Sequence, residues 1–256
     1  MNAVHAEWTK LRTVAGPGWL LLAAVALTVA VGALAANAVR CPAGSCQIDP
    51  AKVSLTGIDL GQAVVAIVAV TAVSGEYSTG MIRLTLTATP RRWQVLAAKA
   101  ATAGTATLAA GAVAVLASVL AGSLLLSRHG INPGHGYEAV ALSGPVLRAA
   151  AGSVLYLVLI ALLGLGVAAA VRDSAVAIGL VLALLYLFPI IVGAVGSPTW
   201  QRHLDQVSPM TAGLYIQATT NLRSLPLAPW QGLGVLAAWA ASAMLAGGAL
   251  LRYRDA

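Results

Sequence analysis

Residues 19–39, 58–74, 100–126, 146–171, 175–195 and 233–251 form six apolar runs with almost no charge inside them. A helix needs about 20 such residues to cross the hydrocarbon core of a bilayer. In lipid every backbone N–H and C=O must be bonded within the protein, which helices achieve segment by segment. The pattern predicts an all-α polytopic membrane protein: six transmembrane helices in a single transmembrane domain over residues 1–256. Composition agrees. Charged residues make up 9% of the chain and the mean hydropathy is +0.85, against about 25% charged in soluble domains. Ala, Gly, Val and Leu dominate, as suits helices that approach closely in lipid. A net charge of +7 would point to nucleic acid in a soluble chain. Here it reads as the basic flanks that orient spans, so no nucleic-acid partner is expected.

With the N-terminus inside, Lys10, Arg12, Arg83, Arg91, Arg92, Lys99, Arg172, Arg252 and Arg254 fall on the cytoplasmic side. Arg40, Lys52, Arg128, Arg148, Arg202 and Arg223 fall outside. The excess predicts a multi-pass protein of the cell membrane with both termini cytoplasmic. Cys41 and Cys46, in "RCPAGSC", then share the first outer loop, where a disulfide could persist and free thiols are the alternative. The stretch around Ala36 and Ala38 is similar to a signal-peptidase site, but the apolar run before it is long for a signal peptide. It is read as a retained span.

Ahead of that span, "MNAVHAEWTKLRT" carries Trp8 and Leu11 on one helical face, with Glu7, Lys10 and His5 around the others. This suits an interfacial elbow helix formed by Glu7, Trp8, Lys10 and Arg12; an ordinary basic flank is the alternative. Gly16-Pro17-Gly18 is expected to break the chain before the vertical helix begins. A second island, "GEYSTGMIRLTLTATPRRWQVLAAK" at residues 75–99, separates the second and third runs. Its "IRLTLT" alternates like a strand, which would be left with unpaired edges in a short loop. The helical reading groups Tyr77, Met81 and Leu84 on one face with Ile82 beside it, and sets Glu76 at the helix N-terminus, where the dipole favours a carboxylate. Thr89-Pro90 would then cap the next helix. A plain membrane-surface helix is the bland alternative.

The island also resembles the loop between the second and third helices of type 2 ATP-binding-cassette (ABC) permeases, including actinobacterial-like ABC exporters. An acidic residue, a Gly before a basic-apolar run, "TP-R" and a Lys entering the next helix occur in that order as Glu76, Gly80, Arg83, Leu84, Pro90, Arg91 and Lys99. "EWTKLRT" resembles the family's interfacial connecting helix. "VSPMTAGLYI", residues 207–216, resembles its stretch before the last span, and "LRYRDA" resembles the endings of actinobacterial members. The resemblance implies a cytoplasmic coupling helix, with Glu76, Tyr77, Gly80, Met81, Ile82, Arg83 and Leu84 meeting a separate ATP-binding subunit. It implies two such subunits, a second permease copy, and an extracytoplasmic re-entrant segment at 196–229 before the last helix; with one six-span half and no duplication in the chain, a homodimer is the simpler expectation. ATP and Mg would sit on the partner; no cofactor is expected in this chain. None of its three lysines follows a glycine, so a phosphate-binding Walker A loop is absent.

Other chemistry is poorly supported. His5, His129, His135 and His203 form no zinc pair on a helix, and no metal site or catalytic residue is expected. The runs lack an ionisable relay, which disfavours an ion-coupled carrier. The expected function is an ATP-driven exporter of a hydrophobic or amphipathic substrate by alternating access. An ion-coupled secondary transporter and a membrane-embedded immunity or interaction protein are the alternatives. Membrane lipid is the remaining partner, and the substrate-lining residues are unassigned.

Overall fold

The computed structural model describes residues 2–13, 15–39, 48–78, 80–81, 92–128, 143–194 and 196–253. Among them there is no strand, and six helices are long and apolar enough to cross a membrane. The chain is a multi-pass membrane protein. Its elements run α1 (Asn2–Thr13), α2 (Ala15–Ala38), α3 (Pro50–Leu55), α4 (Ile58–Ser78), α5 (Arg92–Arg128) and α6 (Gly144–Val171). Then come α7 (Ser174–Leu182), a π-helical turn (Ala183–Leu187), α8 (Phe188–Gly193), α9 (Pro198–Val207), α10 (Pro209–Leu214) and α11 (Pro229–Tyr253). Successive spans alternate in direction, so the end of α4 and the start of α5 lie at the same end of the bundle as α1.

The first span differs from expectation at its base. Gly16-Pro17-Gly18 lies inside the first turn of α2 and does not break it. A proline is tolerated there because the first N–H groups of a helix have no carbonyl partner to lose. The second span also departs from expectation, because α4 runs on through Glu76 and Tyr77 to Ser78. Glu76 therefore closes a long helix; the expected surface helix does not start with it.

The core is built around α6, which packs against α4, α5, α7 and α11. Its inward residues, among them Tyr156, Ile160, Leu163 and Leu165, are fully buried. Glycines set how closely the helices approach. A Cβ added at Gly166 would lie 2.5 Å from the backbone of Ala243, and one at Gly247 would lie 2.5 Å from the Gly166 carbonyl. Only a missing side chain lets α6 and α11 meet backbone to backbone. At the corner between α6 and α7, Arg172 takes a left-handed conformation (φ 65°), and Asp173 caps α7 by accepting from the Val176 N–H at 2.8 Å. Arg172 and Asp173, between the fourth and fifth apolar runs, predict this tight corner from sequence, with Asp173-Ser174 capping the fifth span. The π-helical turn precedes Pro189, whose ring cannot continue a regular α-helical ladder.

Residues 196–229 fold as short helices against α11 and the α6 start. Ser208 caps α10, Trp239 donates to the Val207 carbonyl at 2.9 Å, and Ile216 fills the space left by Gly152. Trp200 and Trp230 are exposed.

Candidate functional site: an ionic cluster at the base of the bundle

Four charged side chains from three helices converge at the end of the bundle that holds α1. On α1, Glu7 and Lys10 lie three residues apart, on one helical face, with Lys10 Nζ 3.3 Å from Glu7 Oε1. Glu76 comes from the last turn of α4, and Lys99 from the second turn of α5. Lys10 Nζ is 2.5 Å and Lys99 Nζ 2.7 Å from Glu76 Oε1; Lys99 Nζ is 3.0 Å from Glu7 Oε2. A third bond from Lys99 reaches the Ala72 carbonyl at 3.2 Å.

Burial gives this geometry its weight. The Lys99 side chain is 4% exposed, Glu76 10% and Glu7 13%, while Lys10 at 37% reaches solvent. A carboxylate at the C-terminal end of α4 opposes the helix dipole. Two ammonium groups on one carboxylate oxygen offset that cost. Burial works against the charged form of Lys10, yet the hydrogen bond to Glu76 and the charges of Glu7 and Glu76 outweigh it and hold its pKa above the ordinary value. The cluster carries two charges of each sign, so it is neutral as a unit. It ties α1 to both helices that flank the loop after α4.

A cavity of about 340 Å³ adjoins the cluster between α1, α2, α4 and α5. Away from the four charged side chains its wall is mostly apolar. The Thr71 hydroxyl is spent on the Ile67 and Val68 carbonyls, and Thr102 on those of Ala98 and Lys99.

The predicted site residues divide as follows. Glu7, Lys10 and Glu76 are brought together. Trp8 is exposed on α1, and the Arg12 side chain lies outside the described residues. Tyr77 is half-buried against the core, with the Arg172 guanidinium 5.5 Å from its ring centroid. Gly80 has φ +70°, a left-handed turn that glycine adopts without strain, and Met81 beyond it is exposed. Ile82, Arg83, Leu84, Cys41 and Cys46 lie outside the described residues, as do His129 and His135. The sequence sets Lys99 on the basic flank and in the motif that enters the third helix, but does not show it as the hub. The available signal was its position inside the apolar third helix, where a charge needs a buried partner.

Two further polar centres lie elsewhere. Tyr156, fully buried, donates to Gln62 Oε1, and Gln62 donates onward to the Asp59 carbonyl at 3.1 Å, which also accepts from Tyr186. These tyrosines serve helix packing. At the end of the bundle opposite the cluster, Asp49 caps α3 through the Lys52 N–H (3.1 Å). It also accepts from the Thr219 hydroxyl (2.6 Å), the Thr219 N–H and the Thr220 N–H. Burial pushes the Asp49 pKa up, but these donors prevail and hold it below the usual carboxylate value.

The fold and this site define a multi-pass membrane protein with a neutral ionic joint at one end of its bundle. No protein-family model matches the sequence, and no curated protein matches it.

Proposed function

We propose that this chain is the membrane-spanning permease subunit of an ABC transporter, exporting a hydrophobic or amphipathic substrate. The ionic joint is the observation that carries the reading. A permease driven by a separate ATPase must pass a push at its cytoplasmic loop into the spans. Glu7, Lys10, Glu76 and Lys99 tie α1, the end of α4 and the start of α5 beside that loop, so a load applied there moves three elements together. The ordered motifs of residues 75–99 support the same reading. On it, α1 is the interfacial elbow, and Met81, Ile82 and Leu84 are apolar knobs for the ATP-binding subunit. Tyr77, half-buried beneath Arg172, braces the base of the loop. Two copies of this chain and two ATP-binding subunits, which hold ATP and Mg, complete the transporter, with both termini in the cytoplasm of the cell membrane. Residues 196–229 form the re-entrant segment at the outer leaflet.

Co-purification in nanodiscs with an ATP-binding subunit, sought first among the genes beside this one, tests the reading. Wild type should retain the subunit, and Leu84→Asp should lose it, because a charge on an apolar knob must be desolvated to seat. Wild type that captures no ATPase would remove the reading and raise the carrier and interaction-protein alternatives.

A further inference from the structure

We infer that the fifth span carries a hinge: α8 swings about the π-helical turn at Ala183–Leu187, and the hydrogen bond from Tyr186 to the Asp59 carbonyl is the latch that holds it closed. The inference concerns the chain alone and stands whether or not an ATP-binding subunit drives the motion.

The backbone ladder is interrupted where the hinge is placed. The Phe188 N–H reaches back five residues to the Ala183 carbonyl, a π-register that occurs mostly as single turns. The next residue, Pro189, has no N–H. It therefore serves neither Leu184 in the π-register nor Leu185 in the α-register. A register shift and a missing donor fall within one turn, and each is a cause of helix bending.

Packing changes at the same point. Ahead of the turn, α7 lies against α4 and α6. Its Ala177 and Val181 are fully buried in the main core, as is Leu185 within the turn. Beyond the turn, α8 makes its chief contacts with its own chain neighbours, the π-helical turn and α9. Val192 is buried but stands outside the main core, and Leu187, Ile190 and Ile191 are more than half exposed. Segments with few buried apolar contacts open at low cost. The fifth span is thus clamped along its first part and loosely held along its last turns.

One polar contact joins the two parts to the bundle. Tyr186, three residues before Pro189, donates to the Asp59 carbonyl. That carbonyl also accepts from Gln62, which in turn accepts from Tyr156. The π-helical turn, α4 and α6 therefore meet in one chain of hydrogen bonds. When Tyr186 lets go, Gln62 still serves the Asp59 carbonyl, so opening strands no buried acceptor. A bond that can be broken without that penalty suits a reversible latch.

Double electron–electron resonance on the full chain in nanodiscs tests the inference. Cys41→Ser and Cys46→Ser clear the background, and dilution with unlabelled chain restricts the signal to distances within one copy. Spin labels on Leu124→Cys and Ile191→Cys, both exposed positions, join α5 to α8; labels on Leu124→Cys and Leu180→Cys join α5 to α7. The α8 pair should give two distances and the α7 pair one. Tyr186→Phe should raise the ratio of displaced to closed α8 about threefold, the worth of one hydrogen bond between membrane helices. Pro189→Ala, which returns a donor to the ladder, should lower it. Neither change should move the α7 distance. A single α8 distance shared by wild type and both variants would overturn the inference, and a second copy packed on α8 to hold it still would give that result. A ratio that neither variant alters, or an equal displacement of α7 and α8, would overturn it as well.

Discussion

Two carboxylates hold opposite ends of the bundle, and they are satisfied in different ways. Glu76 is paired with charges: two lysines, one from α1 and one from α5, meet on a single oxygen. Asp49 is paired with neutral donors, the N–H groups of Lys52, Thr219 and Thr220 and the Thr219 hydroxyl. The first arrangement joins three helices and fails as a unit, since removing one member strands a buried charge. The second behaves as a local cap that also pins the segment before the last span to α3. One end of the molecule is tied as a block by charge; the other is held by a clasp of neutral donors.

The largest difference should appear when a hub charge is deleted. Lys99→Met leaves Glu7 and Glu76 to share Lys10 alone, one positive charge short in a buried site, and should cost about 3–5 kcal/mol, read as a large fall in unfolding midpoint in detergent. The double variant Lys99→Met with Glu76→Gln should recover part of that loss. Additive costs in this cycle would show that the two do not act as a pair.

Asp49→Ala should cost less, about 2 kcal/mol, the loss of an N-cap together with the clasp bonds. The pH dependence carries the sign. The folded pKa of Asp49 lies below its unfolded value, so its contribution is fully present above the ordinary carboxylate pKa and disappears as pH falls through the depressed one. Asp49→Asn, which keeps the shape without the charge, should flatten the acid limb of the stability profile. A wild-type acid limb in Asp49→Asn would mean that this carboxylate is not the titrating clasp.

The smallest effect belongs to a neutral pair near the ionic end, where the Ser174 hydroxyl donates to Ser74 at 2.7 Å. Ser174→Ala should cost about 0.6 kcal/mol, the average for hydrogen bonds between membrane helices. A loss as large as that of Lys99→Met would erase the distinction between charged and neutral contacts.

The spans were legible in the sequence because hydrophobic length is a one-dimensional property. The turn at Arg172-Asp173 was legible too, since capping chemistry is local. Lys99 was not. Its partners lie 23 and 92 residues away in sequence, and no local pattern reports a contact that exists only after three helices pack. Glu76 was placed at the wrong end of a helix for the same reason: the dipole favoured an N-terminus, and two distant lysines reversed the preference. Gly16-Pro17-Gly18 failed differently. Its residues are breakers in mid-helix but harmless in a first turn, and the position of the turn was what had to be known.

The central claim is that the ionic joint passes force from an ATP-binding partner into the spans. The direct measurement is ATP hydrolysis by the reconstituted complex with wild type and with Glu76→Ala, at equal amounts of captured ATPase. Glu76→Ala is expected to hold some partner but to lose most of the permease-dependent change in hydrolysis rate. Hydrolysis indistinguishable from wild type, with equal capture, would contradict it.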